Sequence, residues 1–125
     1  MCGILGFNWE DTKLLRKGLD TIEHRGPDAS GIFVDKGISL GHRRLSIIDL
    51  SRAGKQPMSN EDGTVWIIFN GEIYNYIELR EELKVKGVSF LTNTDTEVML
   101  QSYLHWGEAC VNHFNGMWSL VIYDS

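Results

Sequence analysis

Hydrophobic and polar positions change period several times between Met1 and Ser125. Gly3 to Trp9 is a short, largely apolar run of the length of a buried strand. From Asp11 or Thr12 the spacing lengthens, and Leu15, Leu19 and Ile22 recur three to four residues apart. This predicts an amphipathic helix that ends near His24, because Gly26-Pro27 cannot continue one. Ile32-Phe33-Val34 and Ile38 to Leu45 are predicted as paired strands around a turn at Asp35-Lys36-Gly37. Gly54 and Pro57 mark a loop, and Asn60 to Gly63 a turn. Val65-Trp66-Ile67-Ile68-Phe69 is apolar without interruption, as in a strand covered on both faces. Asn75 with Glu78 forms an N-cap pattern for a helix reaching about Lys86 and stopped by Gly87. Thr94-Asp95-Thr96-Glu97 repeats the pattern and opens a helix with Met99, Tyr103 and Trp106 on its inner face. A helical turn around Ala109 to His113 and a last strand from Met117 to Tyr123 complete the series. Strands cluster between helices instead of alternating with them, which predicts a layered α+β domain.

Composition narrows the function classes. At 125 residues, 42% hydrophobic and 23% charged, the chain has the make-up of one soluble globular domain or a part of one. A net charge of −5 lacks the clustered positive surface of a nucleic-acid binder, so no nucleic acid is expected as a partner. No apolar run approaches the ~18 residues of a membrane span, and the apolar start stops at Asn8 with no basic segment before it. Cys2 and Cys110 offer neither a disulfide framework nor a C-x-x-C spacing, and the four histidines include no H-E-x-x-H. No metal site is predicted, and free thiols fit the cytoplasm.

The chemistry begins at Cys2. With Met1 removed, Cys2 would carry a free α-amino group beside its own thiol. That amine is roughly a tenth or more neutral at pH 7, so it can take the thiol proton without any histidine. Taken alone, a cysteine at position two is far more often a small apolar residue starting a strand. Asn70-Gly71 follows the buried run and offers a side-chain amide and an unobstructed backbone N–H, the donors a tetrahedral oxyanion needs. Asn-Gly is also a frequent hairpin turn, and spacing leaves both roles open. The period of two puts Arg43 and Arg44 on opposite faces of one strand, so one can point inward and fork a carboxylate. Glu72 and Asp95 are candidates to receive an ammonium, although Asp95 at a helix start also suits the helix dipole. His24-Arg25-Gly26-Pro27-Asp28 reads as a tight charged turn able to buttress a thiol, with His24 as an alternative base. Cys110 and His113 read as core and surface rather than as a dyad.

Taken together, these segments carry a resemblance. Met-Cys-Gly-Ile-Leu-Gly, His24-Arg25-Gly26-Pro27-Asp28, His42-Arg43-Arg44-Leu45-Ser46-Ile47-Ile48-Asp49-Leu50, Gln56-Pro57, Asn70-Gly71-Glu72-Ile73-Tyr74-Asn75, Thr94-Asp95-Thr96-Glu97 and Phe114-Asn115-Gly116-Met117-Trp118 occur in that order. The series resembles the N-terminal glutaminase domain of glutamine-hydrolysing asparagine synthetases, within the class II glutamine amidotransferases, from Cys2 to Tyr123. The resemblance implies an N-terminal-nucleophile four-layer αββα sandwich with Cys2 as nucleophile. It implies Asn70 and the Gly71 N–H as oxyanion hole, and Arg44 as the holder of the substrate carboxylate. Ile47 and Ile48 would present backbone groups, Glu72 and Asp95 would take the amino group, and Arg25 and Asp28 would support the site. Residues 1–125 would then be a C-terminally incomplete type-2 amidotransferase domain, with the synthetase domain absent. The substrate would be L-glutamine, and the ammonia would pass to a synthetase domain or subunit making asparagine or a related amide. A homodimer is among the assemblies expected. No cofactor is expected in this domain, ATP and Mg belonging to the synthetase domain. The alternative is an inert fragment that keeps the fold as a glutamine-binding or structural module, since a retained Met1 leaves the Cys2 nitrogen acylated and no base.

Overall fold

The computed structural model describes Met1–Ser125. Six strands and three α-helices run in the order β1 (Gly3–Phe7), α1 (Thr12–Thr21), β2 (Ala29–Asp35), β3 (Ile38–Arg44), β4 (Met58–Ser59), β5 (Val65–Ile73), α2 (Tyr76–Val85), α3 (Asp95–Trp106) and β6 (Gly116–Asp124). Single 3-10 segments occupy Glu23–Arg25, Arg52–Gly54 and Gly107–His113. The strands form two antiparallel sheets ordered β1-β3-β2 and β4-β5-β6. No helix is long and apolar enough to cross a membrane.

Side-chain parity explains the layering. In β3 the odd positions face α1: a Cβ on Gly41 would press on Leu15 and Leu19, and Arg43 Nε donates to the Leu19 carbonyl at 3.0 Å. The even positions face the second sheet, where His42 Nε2 meets the Phe69 carbonyl at 3.1 Å. In β5 the odd residues Val65, Ile67, Phe69 and Ile73 pack beneath α2 and α3 with Leu79, Leu83, Val98, Met99 and Leu100. The even residues look back at the first sheet, and Trp66 stacks on Phe33 with ring centroids 4.1 Å apart. The result is helix, sheet, sheet, helix: the four-layer α+β sandwich expected from the sequence.

The caps are partly as predicted. Asp11 accepts from the Leu14 N–H and Thr94 from the Glu97 N–H, so both helices start where their cap residues place them. Two reciprocal halves are missing. Glu97 binds the Leu91 and Thr92 N–H groups, and Asn75 precedes α2 without a side-chain cap bond. Asn75 instead joins the His113 carbonyl and the Asn115 N–H, tying the start of α2 to the start of β6. On β6, Trp118, Leu120 and Ile122 pack against the helix-side core, whereas Met117 on the opposite face is 67% exposed.

Candidate active site

The hairpin reading of Asn70-Gly71 is overturned. β5 continues through both residues to Ile73 and pairs with β6 along nine positions, Asn70 opposite Ser119 and Gly71 opposite Trp118. Gly71 adopts φ 150°, and a Cβ there would overlap the Met117 carbonyl and lie 2.7 Å from Trp118 Cα. Glycine is therefore required by backbone approach across the ladder, and no turn is involved.

Hydrogen-bond alternation then says where the Gly71 N–H points. The Tyr74 N–H donates to Asn115 and the Ser125 N–H to Thr64, so even positions of β5 exchange bonds with β6. Phe69, Gly71 and Ile73 direct their backbone groups to the other edge, past the end of the two-residue β4. There the Phe69 N–H donates to Gln56 Oε1 at 2.7 Å, and the Ile73 N–H to Asp95 Oδ2 at 3.3 Å. The Gly71 N–H between them has no side-chain partner on that edge. It faces a cleft.

That cleft is lined by Cys2, Arg44, Ile47, Ile48, Asn70, Gly71, Glu72 and Asp95, all eight of the nucleophile, oxyanion and substrate candidates, brought from five parts of the chain. Cys2 precedes β1, and its thiol donates to the Leu45 carbonyl at 3.6 Å while the Leu45 N–H donates to sulfur at 3.3 Å. Met1 also lines the cleft and is 54% exposed. Asn70 Oδ1 is buried without a hydrogen-bond partner. Such an orphaned polar atom is costly unless a ligand or a freed amine meets it.

Arg44 is 8% exposed and faces no carboxylate within ion-pair distance. One Nη donates to the Ser51 carbonyl at 2.6 Å and the other to the Asp49 carbonyl, which bends the 45–51 loop around the guanidinium. Arg43 points to the opposite face of β3 but not into solvent. It is instead covered by α1, bonding Asp20 at 2.9 Å with Glu23 nearby at 3.7 Å. A buried cation held only by carbonyls keeps its charge unmatched, which suits an anionic ligand. Across the cleft, Asp95 is 6% exposed; burial raises its carboxyl above the ordinary range, the neighbouring Glu72 adds to this, and N–H groups of Ile73, Thr96 and Asp95 itself oppose it. A cation at that point would stabilise the carboxylate. Glu72 is exposed at the rim, and Ile47 and Ile48 are 58% and 39% exposed on the loop.

Arg25 and Asp28 stand behind the cleft. Arg25 Nε donates to the Cys2 carbonyl at 3.1 Å, while Asp28 accepts from the Ser46 N–H at 2.8 Å and donates its own N–H to the Arg44 carbonyl. These bonds fix the backbone on both sides of the thiol. His24 lies outside the cleft on the 3-10 turn after α1. Cys110 is in the helix-side core and His113 stacks on Trp106, so neither forms a dyad. Sequence reasoning passed over Gln56, Thr94 and Thr96, which line the cleft, and His42, which meets the Phe69 carbonyl behind it. The His42–Leu50, Gln56-Pro57 and capping-box motifs contained them, and none of the three signals a buried hydrogen-bond role.

Residues 1–125 match the family model described as a glutamine amidotransferase domain. The chain is 48% identical to an asparagine synthetase [glutamine-hydrolyzing] of Bacillus subtilis, covering 99% of this chain and 21% of that protein. It is 42% identical to an asparagine synthetase [glutamine-hydrolyzing] of Zea mays, over all of this chain and 22% of that protein. It thus spans about a fifth of the length of these relatives. A glutamine phosphoribosylpyrophosphate amidotransferase of Bacillus subtilis shares the fold, with a TM-score of 0.82, 20% identity, and coverage of 99% of this chain and 35% of that one.

Proposed function

Since the chain belongs to the glutamine amidotransferase domain family, we propose that it hydrolyses L-glutamine to glutamate and ammonia, with Cys2 as the nucleophile. The carrying observation is the cleft itself. It sets a thiol, an outward backbone N–H at Gly71, a buried unmatched cation at Arg44 and a buried carboxylate at Asp95 around one space.

The steps follow from those groups. Removal of Met1 frees the Cys2 amine, which takes the thiol proton. The sulfur attacks the substrate amide carbon, and its carbonyl oxygen becomes an oxyanion held by the Asn70 amide and the Gly71 N–H. The amine returns the proton to the leaving nitrogen, ammonia departs, and a γ-glutamyl thioester remains. Water, deprotonated by the same amine, attacks the thioester and releases glutamate and the thiol. Arg44 receives the α-carboxylate, as a fork or a single contact, while Asp95 and Glu72 receive the α-ammonium. The 45–51 loop with Ile47 and Ile48 supplies the wall, and Arg25 and Asp28 keep the thiol and Arg44 in register. This reading asks for ATP and Mg only in a synthetase domain or subunit, which would receive the ammonia for asparagine or a related amide. The two free cysteines favour residence in the cytoplasm.

The test is glutamate release by the processed chain against Cys2→Ala. Release should fall to background in the variant, and equal rates would refute the proposal. Met1 on the cleft wall also favours a second reading for unprocessed chain, which should bind or fold but not react. Intact-mass measurement before each assay separates the two.

A further inference from the structure

The β4–β5 ladder stops at Ile67, two rungs before Gly71, and the way it stops is chemically specific. Met58 pairs with Ile67, so the same register puts residue 56 opposite Phe69. The main chain of Gln56 does not fill that rung. Its carbonyl is turned toward Gly31, so close that a Cβ on Gly31 would overlap it. The Gln56 side chain stands in for the main chain, Oε1 accepting from the Phe69 N–H at 2.7 Å. The other half of the rung is made by His42, whose Nε2 lies 3.1 Å from the Phe69 carbonyl. A carbonyl can only accept, so this contact requires the proton on Nε2 and leaves Nδ1 as an acceptor, which is buried and unpartnered.

We propose that Gln56 and His42 are positioning residues for the oxyanion donors, together replacing one backbone rung so that Phe69 is pinned while the next outward N–H, at Gly71, stays open to the cleft. The proposal rests on the glutaminase reading of that cleft. A continuing strand would hold Phe69 equally well, but its next rung would consume the Gly71 N–H. Ending the strand with nothing in place would leave the Phe69 groups unsatisfied and the edge free to shift. Two side chains from other elements avoid both outcomes. Gln56 is 5% exposed and His42 is 0% exposed, so water does not compete for either bond. Gln56 Nε2 also donates to Thr96 Oγ1 at 3.1 Å, beside Asp95, which ties the oxyanion edge to the start of α3. Neither side chain is assigned contact with the reacting atoms. Both act through Phe69.

The experiment measures kcat and KM for glutamine in the full chain with Met1 removed, for wild type, Gln56→Leu, Gln56→Asn, His42→Leu and His42→Gln, with backbone amide exchange at Phe69 and thermal melting alongside. Gln56→Leu and His42→Leu should lower kcat at least thirtyfold with KM within about threefold. His42→Gln, which keeps a donor near the Phe69 carbonyl, should recover most of the loss. Gln56→Asn is one methylene short and covers the case in which a leucine variant does not fold; it should lower kcat at least tenfold and speed Phe69 exchange. Folded variants that keep kcat within threefold would overturn the positioning role. So would losses that follow only the folded fraction, with no recovery in His42→Gln. A wild-type chain that hydrolyses no glutamine defeats the glutaminase reading and with it the positioning role, whatever Phe69 exchange shows of the rung.

Discussion

Acidification should weaken this fold through His42, and the size of the effect can be worked out. The imidazole is fully buried, and desolvation lowers its pKa from 6.5 to about 4; the bond to Phe69 raises it, and the positive charge of Arg44 lowers it further. The folded-state pKa lies below the unfolded one. Between pH 6.5 and about 4 the unfolded chain therefore binds a proton that the folded chain refuses, so stability is present above that window and falls through it as pH falls. At about 1.4 kcal/mol per tenfold difference in proton affinity, His42 should remove about 2 kcal/mol between pH 7 and 5, and about 3 kcal/mol by pH 4. The assay is chemical denaturation at pH 7, 6, 5 and 4 for wild type and His42→Gln. Other titrating groups, Asp95 among them, contribute to both proteins, so the difference between the two curves isolates His42. That difference should change by about 2 kcal/mol from pH 7 to 5. Parallel curves would refute the reasoning.

Three further expectations concern the cleft. Arg44→Ala should raise KM for glutamine by about thirtyfold or more, since losing the partner of a buried carboxylate costs 2–5 kcal/mol, and Arg44→Lys should recover only part; initial-rate kinetics decide this. Gly54→Ala would place a methyl 2.9 Å from Thr94 Cγ2 and 3.0 Å from Arg44 Cζ, displacing the guanidinium. With about 1–3 kcal/mol of overpacking, KM should rise about tenfold with kcat within about threefold. Asp95 holds its proton to higher pH than the ordinary 3.8. Below the step set by the Cys2 amine, the acid limb of kcat/KM should therefore carry a second step above that value, and Asp95→Asn should remove this second step while weakening glutamine binding.

Local signals placed the helices well because caps act within four residues: Asp11 and Thr94 each mark a true start. Period two correctly separated Arg43 from Arg44. What could not be read was governed by distant partners. Asn70-Gly71 has turn chemistry, but nine residues of β6, about fifty positions later, hold it straight. Asn75 has cap chemistry, yet two backbone groups at 113 and 115 claim its side chain. Gln56 and His42 owe their roles to one unpaired rung, which exists only once β4, β5 and β3 are assembled. No spacing along the chain encodes that.

The adjacent arginines give the far end of the molecule an unexpected authority. Arg43 fastens a helix while Arg44 lies in the cleft wall without a carboxylate partner, and which does which depends only on the odd–even count along β3. That count begins at the two-residue connection Lys36-Gly37, where Asp35 faces Ile38, about 20 Å of strand away from the guanidinium. A slip of one residue there would swap the two roles without altering a single amino acid near the thiol. An insertion or deletion at this remote bend is therefore expected to exchange the two guanidiniums while leaving every residue of the cleft wall unchanged in the sequence.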